Sequence, residues 1–421
     1  MVHSPRSRAD NSLLNLPRPV WLLGWVSLAT DSASEAIYPL LPFFLTQVLG
    51  AGAVSLGIVE GAAEAVNSLL KIWSGRAADT HRTKRPLVLA GYSISSLLRP
   101  LIAVTQTWGQ VFAVRVADRV GKGIRSAPRD AMLAEWTTPE TRGRVFGFHR
   151  SMDHAGAVLG PALATLFLYV YPGSYRTLFA LTIVPGLVAI LLIFLVKEEP
   201  EASTVVRGAD APSAAAAAPR ASTPYASTPS AVGTSPATAG AAVPRELRSF
   251  FIVLTLFTLG NSTDAFLLLK LTDVAGGAKF IPLIWAALHV VKASVSVIGG
   301  SWSDRIGRHR VIALGWLVYA AVYVGFAVSD TMLPLLFWFL VYGFYFGFAE
   351  GTEKALVADL APAGARGFAF GIYNAVLGIG ALLASVFFGL LWNAFGSRVA
   401  FATGAALALC ATGLLFATRR R

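Results

Sequence analysis

Gly75-Arg-Ala-Ala-Asp79-Thr80-His-Arg82-Thr-Lys84-Arg85 returns 225 residues on as Gly300-Ser-Trp-Ser-Asp304-Arg305-Ile-Gly307-Arg308-His-Arg310. Each stretch joins two long apolar segments. A second pair keeps nearly the same offset, with Arg142-Gly143-Arg144-Val-Phe146-Gly147 answered by Arg366-Gly367-Phe-Ala-Phe370-Gly371. Two matches at one spacing point to a duplicated architecture. Almost everything between the charged loops is apolar, so the duplicated unit belongs in a membrane.

Composition agrees. Of 421 residues, 55% are hydrophobic and only 14% charged, against about 25% charged in a soluble chain. A large soluble core would not explain the deficit, because it would still need a polar surface. The net charge of +12 sits in short loops and at the termini, where it faces anionic lipid and sets topology. Nucleic acid is therefore not an expected partner. The single cysteine, Cys410, excludes an internal disulfide and a thiolate cluster. The polar, basic start is followed by an apolar stretch holding Asp31 and Glu35 with no small-residue cleavage site, so the first span is expected to stay in the protein.

A helix needs about 20 residues to cross the hydrocarbon. Segments of that size run over 20–46, 54–74, 86–106, 108–129, 145–169 and 176–196, then 248–271, 281–302, 310–328, 332–357, 367–391 and 395–417. The expectation is an all-α membrane protein of twelve spans in two six-helix halves, with internal charges weakening the first, fourth and tenth. Its parts are an N-terminal segment (1–19), a first bundle (20–196), a linker (197–247), a second bundle (248–417) and a basic tail (418–421). Within the linker, Glu201 to Val243 is nearly all Ala, Pro, Ser, Thr and Gly; too few bulky apolar residues are present to fold, and disorder is expected. The loops at 75–85 and 300–310 are basic, whereas Gln47–Ala53 and Thr105–Gly109 have no Lys or Arg. Both termini and the linker are thus expected on the cytoplasmic side of a prokaryotic inner membrane.

The pattern resembles the major facilitator superfamily of secondary transporters. The resemblance rests on the Gly-x-x-x-Asp-(Arg)-x-x-x-Arg loop after the second span and its echo after the eighth. Thr80 departs from the arginine usual there; Gly300 to Arg310 is nearly complete. It implies transport by alternating access, no enzymatic reaction and no cofactor beyond a proton gradient. It also implies a small-molecule substrate, lipid as surroundings and a monomer. In the family this motif is a conformational latch, which assigns that role to Gly75, Asp79, Arg82, Arg85, Gly300, Asp304, Arg305 and Arg308. Physically, the glycines permit close helix approach and each aspartate can pair with an arginine or a helix end.

Arg115-Val-Ala-Asp118-Arg119-Val-Gly121-Lys122-Gly123-Ile-Arg125 packs five more charges into the fourth span's basic-loop half, and Pro128-Arg129-Asp130 follows. No strand precedes it and no Gly-Lys-Ser/Thr is present, so it is not a nucleotide loop. Ion pairs along the helix would offset its desolvation. In the fifth span, Gly156 and Gly160 bare one helix face and Pro161 removes a backbone donor, favouring a bend. This resembles the Gly-x-x-x-Gly-Pro core of an antiporter-associated motif, although Ala162-Leu163-Ala164 replaces its usual glycine continuation. It points to export.

Carboxylates inside hydrocarbon are costly unless paired, protonated or facing water. Asp31 and Glu35 lie four apart on the first span, and Glu60 and Glu64 repeat the spacing on the second, ahead of Asn67 and Lys71. These acids are candidate proton carriers; a structural ion-pair set with Lys71, Arg99, Arg115 and His154 is the competing reading. Asp153 precedes His154 in the fifth span. The second half offers Asp264, Lys292 and Glu350, with Glu353 and Lys354 one turn further on. Lys292 is the candidate for compensating charge in a cavity, or else pairs with Asp264 or Glu350 to close the bundle. No compact His-rich spacing suggests a metal site. The leading function is proton-coupled export of a small organic molecule; uptake of a charged nutrient or metal complex, or cation coupling, is the alternative.

Overall fold

The computed structural model describes residues 16–80, 84–136, 142–196, 244–361 and 366–419. Among them there are helices and no strands. The first half contains α1 (Arg18–Ile37), α2 (Leu41–Phe43), α3 (Ala53–Thr80), α4 (Arg85–Leu98), α5 (Trp108–Glu135), α6 (Arg142–Val170), α7 (Tyr175–Leu181) and α8 (Ile183–Leu195). The second contains α9 (Arg245–Gly260), α10 (Ala265–Ala275), α11 (Ile281–Ile306), α12 (Arg308–Val328), α13 (Met332–Leu360), α14 (Arg366–Phe395) and α15 (Ser397–Arg419). Each of the twelve expected segments falls on one helix or on a broken pair. Most helices run a turn beyond the apolar window, because backbone hydrogen bonding continues past the hydrocarbon.

Two breaks have local causes. α1 stops before Pro39, and a 3₁₀ turn (Tyr38–Leu40), α2 and a π-turn (Phe44–Val48) carry the span onward. Prolines at 39 and 42 cannot donate to the ladder. The seventh span is unwound between α9 and α10 at Asn261–Asp264, a detail the continuous expectation of 248–271 did not contain. Side chains satisfy the freed backbone there. Tyr319 OH donates to the Gly260 carbonyl at 2.8 Å, and the Thr263 N–H donates to Ser385 Oγ at 3.1 Å. Irregular backbone survives at membrane depth only when protein or a wet cavity covers it in this way.

Nine described segments are long and apolar enough to cross a membrane. The first and fourth expected spans are not among them, as their charges foretold, and the eighth supplies the shorter apolar stretch Ile281–Val295. The tenth does qualify, because its charges gather at Glu350–Lys354 and leave a clean window before them. Exposed Val184, Leu187, Val188 and Leu191 make α8 an apolar outer face, as lipid contact requires.

The duplication is visible in the packing. In the first half α3 and α4 both pack on α5; in the second, α11 and α12 both pack on α13. The halves meet through α3 against α14 and α6 against α11, two contacts that the repeat makes equivalent. Glycine sets the closeness. A Cβ on Gly160 of α6 would collide with the Ser32 carbonyl of α1, and one on Gly57 of α3 with the Ser385 carbonyl of α14. Gly156 likewise lies against Leu28, its would-be Cβ 2.6 Å from that carbonyl oxygen. α6 continues through Pro161 from Arg142 to Val170.

The remaining expectations fall on residues outside the described set: the 197–243 linker, residues 1–15, residues 420–421, Arg82, and the side chains of Asp79 and Asp304. The second bundle's first helix begins at Arg245, inside the expected linker boundary of 247.

Candidate functional site: a charged cavity between the halves

A cavity of about 430 Å³ lies between the two bundles, within the range of about 300–1,000 Å³ usual for small-molecule sites. α1, α3 and α5 supply its first-half wall; the α9–α10 break, α11, α13 and α14 supply the second. The side chains grow more exposed along it, from 5% for Glu60 to 45% for Glu350 and 48% for Lys354. It therefore widens toward the end that bears the repeated basic loops.

The first-half wall is ionic. Arg115 grips Glu60 with a fork, Nε and Nη2 lying 3.0 and 2.8 Å from Oε1 and Nη2 also 2.8 Å from Oε2. Behind it, Asp118 accepts from Arg99 Nη2 at 2.9 Å, with Arg115 Nη1 at 3.6 Å and Arg119 at 3.9 Å. Arg99 also donates to the Thr30 carbonyl at 3.3 Å, tying α1 to the cluster. Arg125 stacks 4.2 Å above Tyr92. Buried charges persist only when neighbours of opposite charge and further hydrogen bonds satisfy them; the Arg115–Glu60 fork and the Arg99–Asp118 pair supply the ionic part, while Arg99 Nε, Asp118 Oδ2 and Arg125 Nη1 find no hydrogen-bond partner among the described residues. Glu64 accepts from Asn67 Nδ2 at 3.1 Å and Ser68 Oγ at 3.4 Å.

The second-half wall is aromatic. Tyr342 OH donates to Asp264 Oδ1 at 2.7 Å, and Lys292 Nζ lies 3.5 Å from Asp264 Oδ2. Trp285, Tyr345, Phe346 and Tyr373 line the cavity as well, and behind them, buried, Tyr319 stacks on Tyr323 at 4.2 Å and Phe257 on Trp316 at 4.3 Å. Glu353 is buried and accepts from Trp316 Nε1 at 2.9 Å and Tyr373 OH at 3.1 Å; among the described residues it has no ion-pair partner.

Among the described residues, polar contacts join the two halves at three places. Trp285 Nε1 of α11 donates to Glu35 Oε2 of α1 at 2.7 Å, with His289 Nε2 at 3.9 Å from the same oxygen. Tyr38 OH and Thr263 Oγ1 stand 3.4 Å apart. Nearer the wide end, Arg150 Nη2 is 3.9 Å from Glu350 Oε1, which Lys354 also meets at 3.0 Å.

Of the candidate cavity residues, Glu35, Glu60, Glu64, Asp264 and Glu350 line the space, and Lys292 reaches its wall through Asp264. Arg115 lies behind Glu60. Asp31, Asp153 and His154 are set back from the lining: Asp31 packs near Gly156, whose would-be Cβ is 3.0 Å from the Asp31 Cβ. Asp153 accepts from Ser27 Oγ and has His149 Nδ1 at 3.6 Å. Among the described residues no three His, Cys, Asp or Glu side chains gather as a metal site. At the loops, Gly75 has only the Ala127 side chain near it, at 3.8 Å from a Cβ built there, and Arg85 Nη2 donates to the Phe194 carbonyl at 2.7 Å. Arg308 reaches Asp359 at 3.1 Å and Ser303 at 2.6 Å, while Arg305 is exposed. Gly300 lies in the last two turns of α11. These contacts of Arg85 and of Arg308 each lie within one half. Sequence reasoning gave no role to Trp285; the polar run Asn261-Ser-Thr-Asp264 after Gly260 was the available sign of a break in the seventh span.

Comparison with known proteins places this geometry. The profile of the Major Facilitator Superfamily matches residues 20–290 and 250–421. The uncharacterized MFS-type transporter MJ1317 of Methanocaldococcus jannaschii is 32% identical over 406 residues, covering 95% of this chain and 94% of that one. The multidrug resistance protein MdtH of Cronobacter sakazakii is 25% identical over 366 residues, 85% of this chain and 82% of its own length. Among solved structures, a bacterial homolog of the human lysosomal transporter Spinster, inward-facing and unoccupied, superposes with a TM-score of 0.74 at 14% identity over 96% of both chains. The nucleoside transporter NupG gives 0.74 at 13% identity, over 96% of this chain and all of that one.

Proposed function

The chain belongs to the major facilitator superfamily and is a multi-pass membrane transporter rather than an enzyme, and from that premise we propose that it exports a small organic molecule in exchange for protons. The observation that carries the reading is Glu35. It lines the cavity, accepts the Trp285 N–H from the opposite half, and has no Lys or Arg at ion-pair distance among the described residues. A proton on this carboxylate weakens its acceptor strength, so protonation biases the contact that joins the two halves. Alternating access then follows from rocking one bundle against the other around the cavity.

The basic loops at 75–85 and 300–310 face the cytoplasm in this proposal, which makes the wide end of the cavity the cytoplasmic one. Asp79 and Asp304 latch that end when it closes. Export as the direction draws support from the Gly156–Pro161 segment and from the likeness to multidrug resistance proteins of the MdtH type.

The test is proton-linked transport in everted membrane vesicles that hold the full chain. An imposed acid interior is followed with a pH-sensitive dye while a panel of metabolites and drugs is added one at a time. The expected result is a compound that discharges the gradient in these vesicles but not in vesicles with Glu35→Gln. Transport that persists unchanged after the pH gradient and membrane potential are both collapsed would sink the proton coupling. Accumulation into intact cells, driven inward, would sink the direction.

A further inference from the structure

The wall that Lys292 touches is built as a seat for an ammonium ion. Its Nζ lies 3.5 Å from the Phe346 ring centroid, 5.0 Å from Trp285 and 5.9 Å from Tyr342. All three distances fall within the roughly 6 Å over which a ring face attracts a cation. All three rings, and Asp264, also face the cavity. The distance from Lys292 Nζ to Asp264 Oδ2 is long, 3.5 Å, against about 2.7–2.9 Å for a charge-assisted hydrogen bond.

The seat is held independently of its occupant. Tyr342 OH fixes the other oxygen of Asp264, and Glu35 fixes the Trp285 indole. Lysine, by contrast, is a point charge on a flexible four-carbon stem. Six carboxylates line the cavity (Glu35, Glu60, Glu64, Asp264, Glu350 and Glu353), and among the described residues Glu35 and Glu353 have no Lys or Arg at ion-pair distance.

We propose that the cargo carries an ammonium head beside an apolar group, and that Lys292 occupies the head's seat until the cargo displaces it. The exchange swaps one monocation for another, so Asp264 keeps a counter-ion and no new charge is buried. The side chain that leaves swings back along α11 while the rings stay in place. This rests on the transport reading above and names its substrate class.

The experiment measures binding to the purified full chain in detergent, with no gradient. Benzyltrimethylammonium is the probe and its uncharged isostere neopentylbenzene (2,2-dimethylpropylbenzene) is the control. The expected result is saturable binding of the cation, at least about tenfold tighter than the isostere. Lys292→Gln should tighten it several-fold by removing the internal competitor. Phe346→Leu and Asp264→Asn should each weaken it by about tenfold or more. Equal affinity for cation and isostere overturns the proposal, as does a monodisperse Lys292→Gln protein whose affinity is unchanged or lower. Should that variant not stay monodisperse, Phe346→Leu decides: undiminished affinity in it overturns the proposal. Because no gradient is used, failed proton coupling leaves this result standing. Conversely, gradient-driven transport of uncharged compounds only would sink the ammonium seat and leave the transporter reading intact.

Discussion

The two walls of the cavity solve the same problem differently. On the first-half side, Arg115 holds Glu60 at 2.8 to 3.0 Å through two nitrogens, and both side chains are 5% exposed or less. On the other side, Lys292 stands 3.5 Å from Asp264, with exposures of 12% and 18%. A planar guanidinium fixes a carboxylate by its fork; an ammonium does so as a movable point charge. The first half thus commits its charges to a fixed lattice through α1, α3, α4 and α5. The second half surrounds its acids with rings and hydroxyls, and keeps one of them, Glu353, without an ion-pair partner among the described residues.

That contrast is broken most severely by Arg115→Ala. It would strand Glu60 and part of the Asp118 cluster in a dry interior, and removing one partner of a buried pair costs about 3–5 kcal/mol. The unfolding midpoint in detergent, or abundance in the membrane, should fall sharply, and Arg115→Lys should recover little of it because the fork is lost. Lys292→Ala should cost a fraction as much. Equal losses would remove the distinction between the walls.

The glycine seams give the next effect. Gly160→Ala drives a methyl into the Ser32 carbonyl inside the first half, an overpacking worth about 1–3 kcal/mol, and should lower thermal stability. Gly57→Ala makes the equivalent collision between halves. There the halves can part, so transport rate should fall more than stability does. Calorimetry beside a transport assay checks the difference.

A smaller effect sharpens the comparison of acids. Glu353→Gln keeps an acceptor for the Trp316 N–H and turns the other contact into an amide N–H donated to the Tyr373 hydroxyl, so stability should change by about 1 kcal/mol or less. Glu60→Gln takes the charge from under Arg115 and should cost clearly more in the same unfolding assay.

The smallest effect lies outside the spans. Asp330, between α12 and α13, meets Lys270 at 3.2 Å and Arg398 at 2.8 Å, and the two cations hold its carboxyl below the ordinary carboxylate range. A depressed carboxyl adds stability that is present above its unfolded value and lost as pH falls through its folded one. Asp330→Asn should therefore have a slight effect at neutral pH that fades in strong acid and in about 0.5 M salt.

The fold was legible because membrane segments announce themselves by length and by what they lack. The repeat of Gly75–Arg85 at Gly300–Arg310 then divided the twelve segments into halves. The site was legible only in part. Glu35, Glu60, Glu64, Asp264 and Glu350 were visible as charges in apolar stretches, but side-chain type cannot say which acid faces water and which faces an arginine. Asp31 and Glu35 share a helix face by spacing, yet only Glu35 reaches the cavity, because Gly156 brings α6 up against the turn that carries Asp31. The aromatic wall left a weaker mark: Tyr342 and Phe346 sit among many aromatics of one span, any of which could line a cavity or simply pack, and Trp285 looks like any other apolar span residue. Their role depends on where Lys292 points, which is set by packing between helices.

The central claim is that two internally fixed halves move against each other around this cavity. Spin labels test it directly once the exposed Cys410 is replaced. One pair, Trp73→Cys with Ile306→Cys, reports between halves at the basic-loop end; another, Leu97→Cys with Leu187→Cys, reports within the first half. In lipid nanodiscs, the between-half pair should give two distance populations whose ratio shifts when the pH is lowered, while the within-half pair stays single and unchanged. A within-half distance that shifts as much as the between-half one, or a between-half distance that stays single in protein shown to transport, would contradict the account.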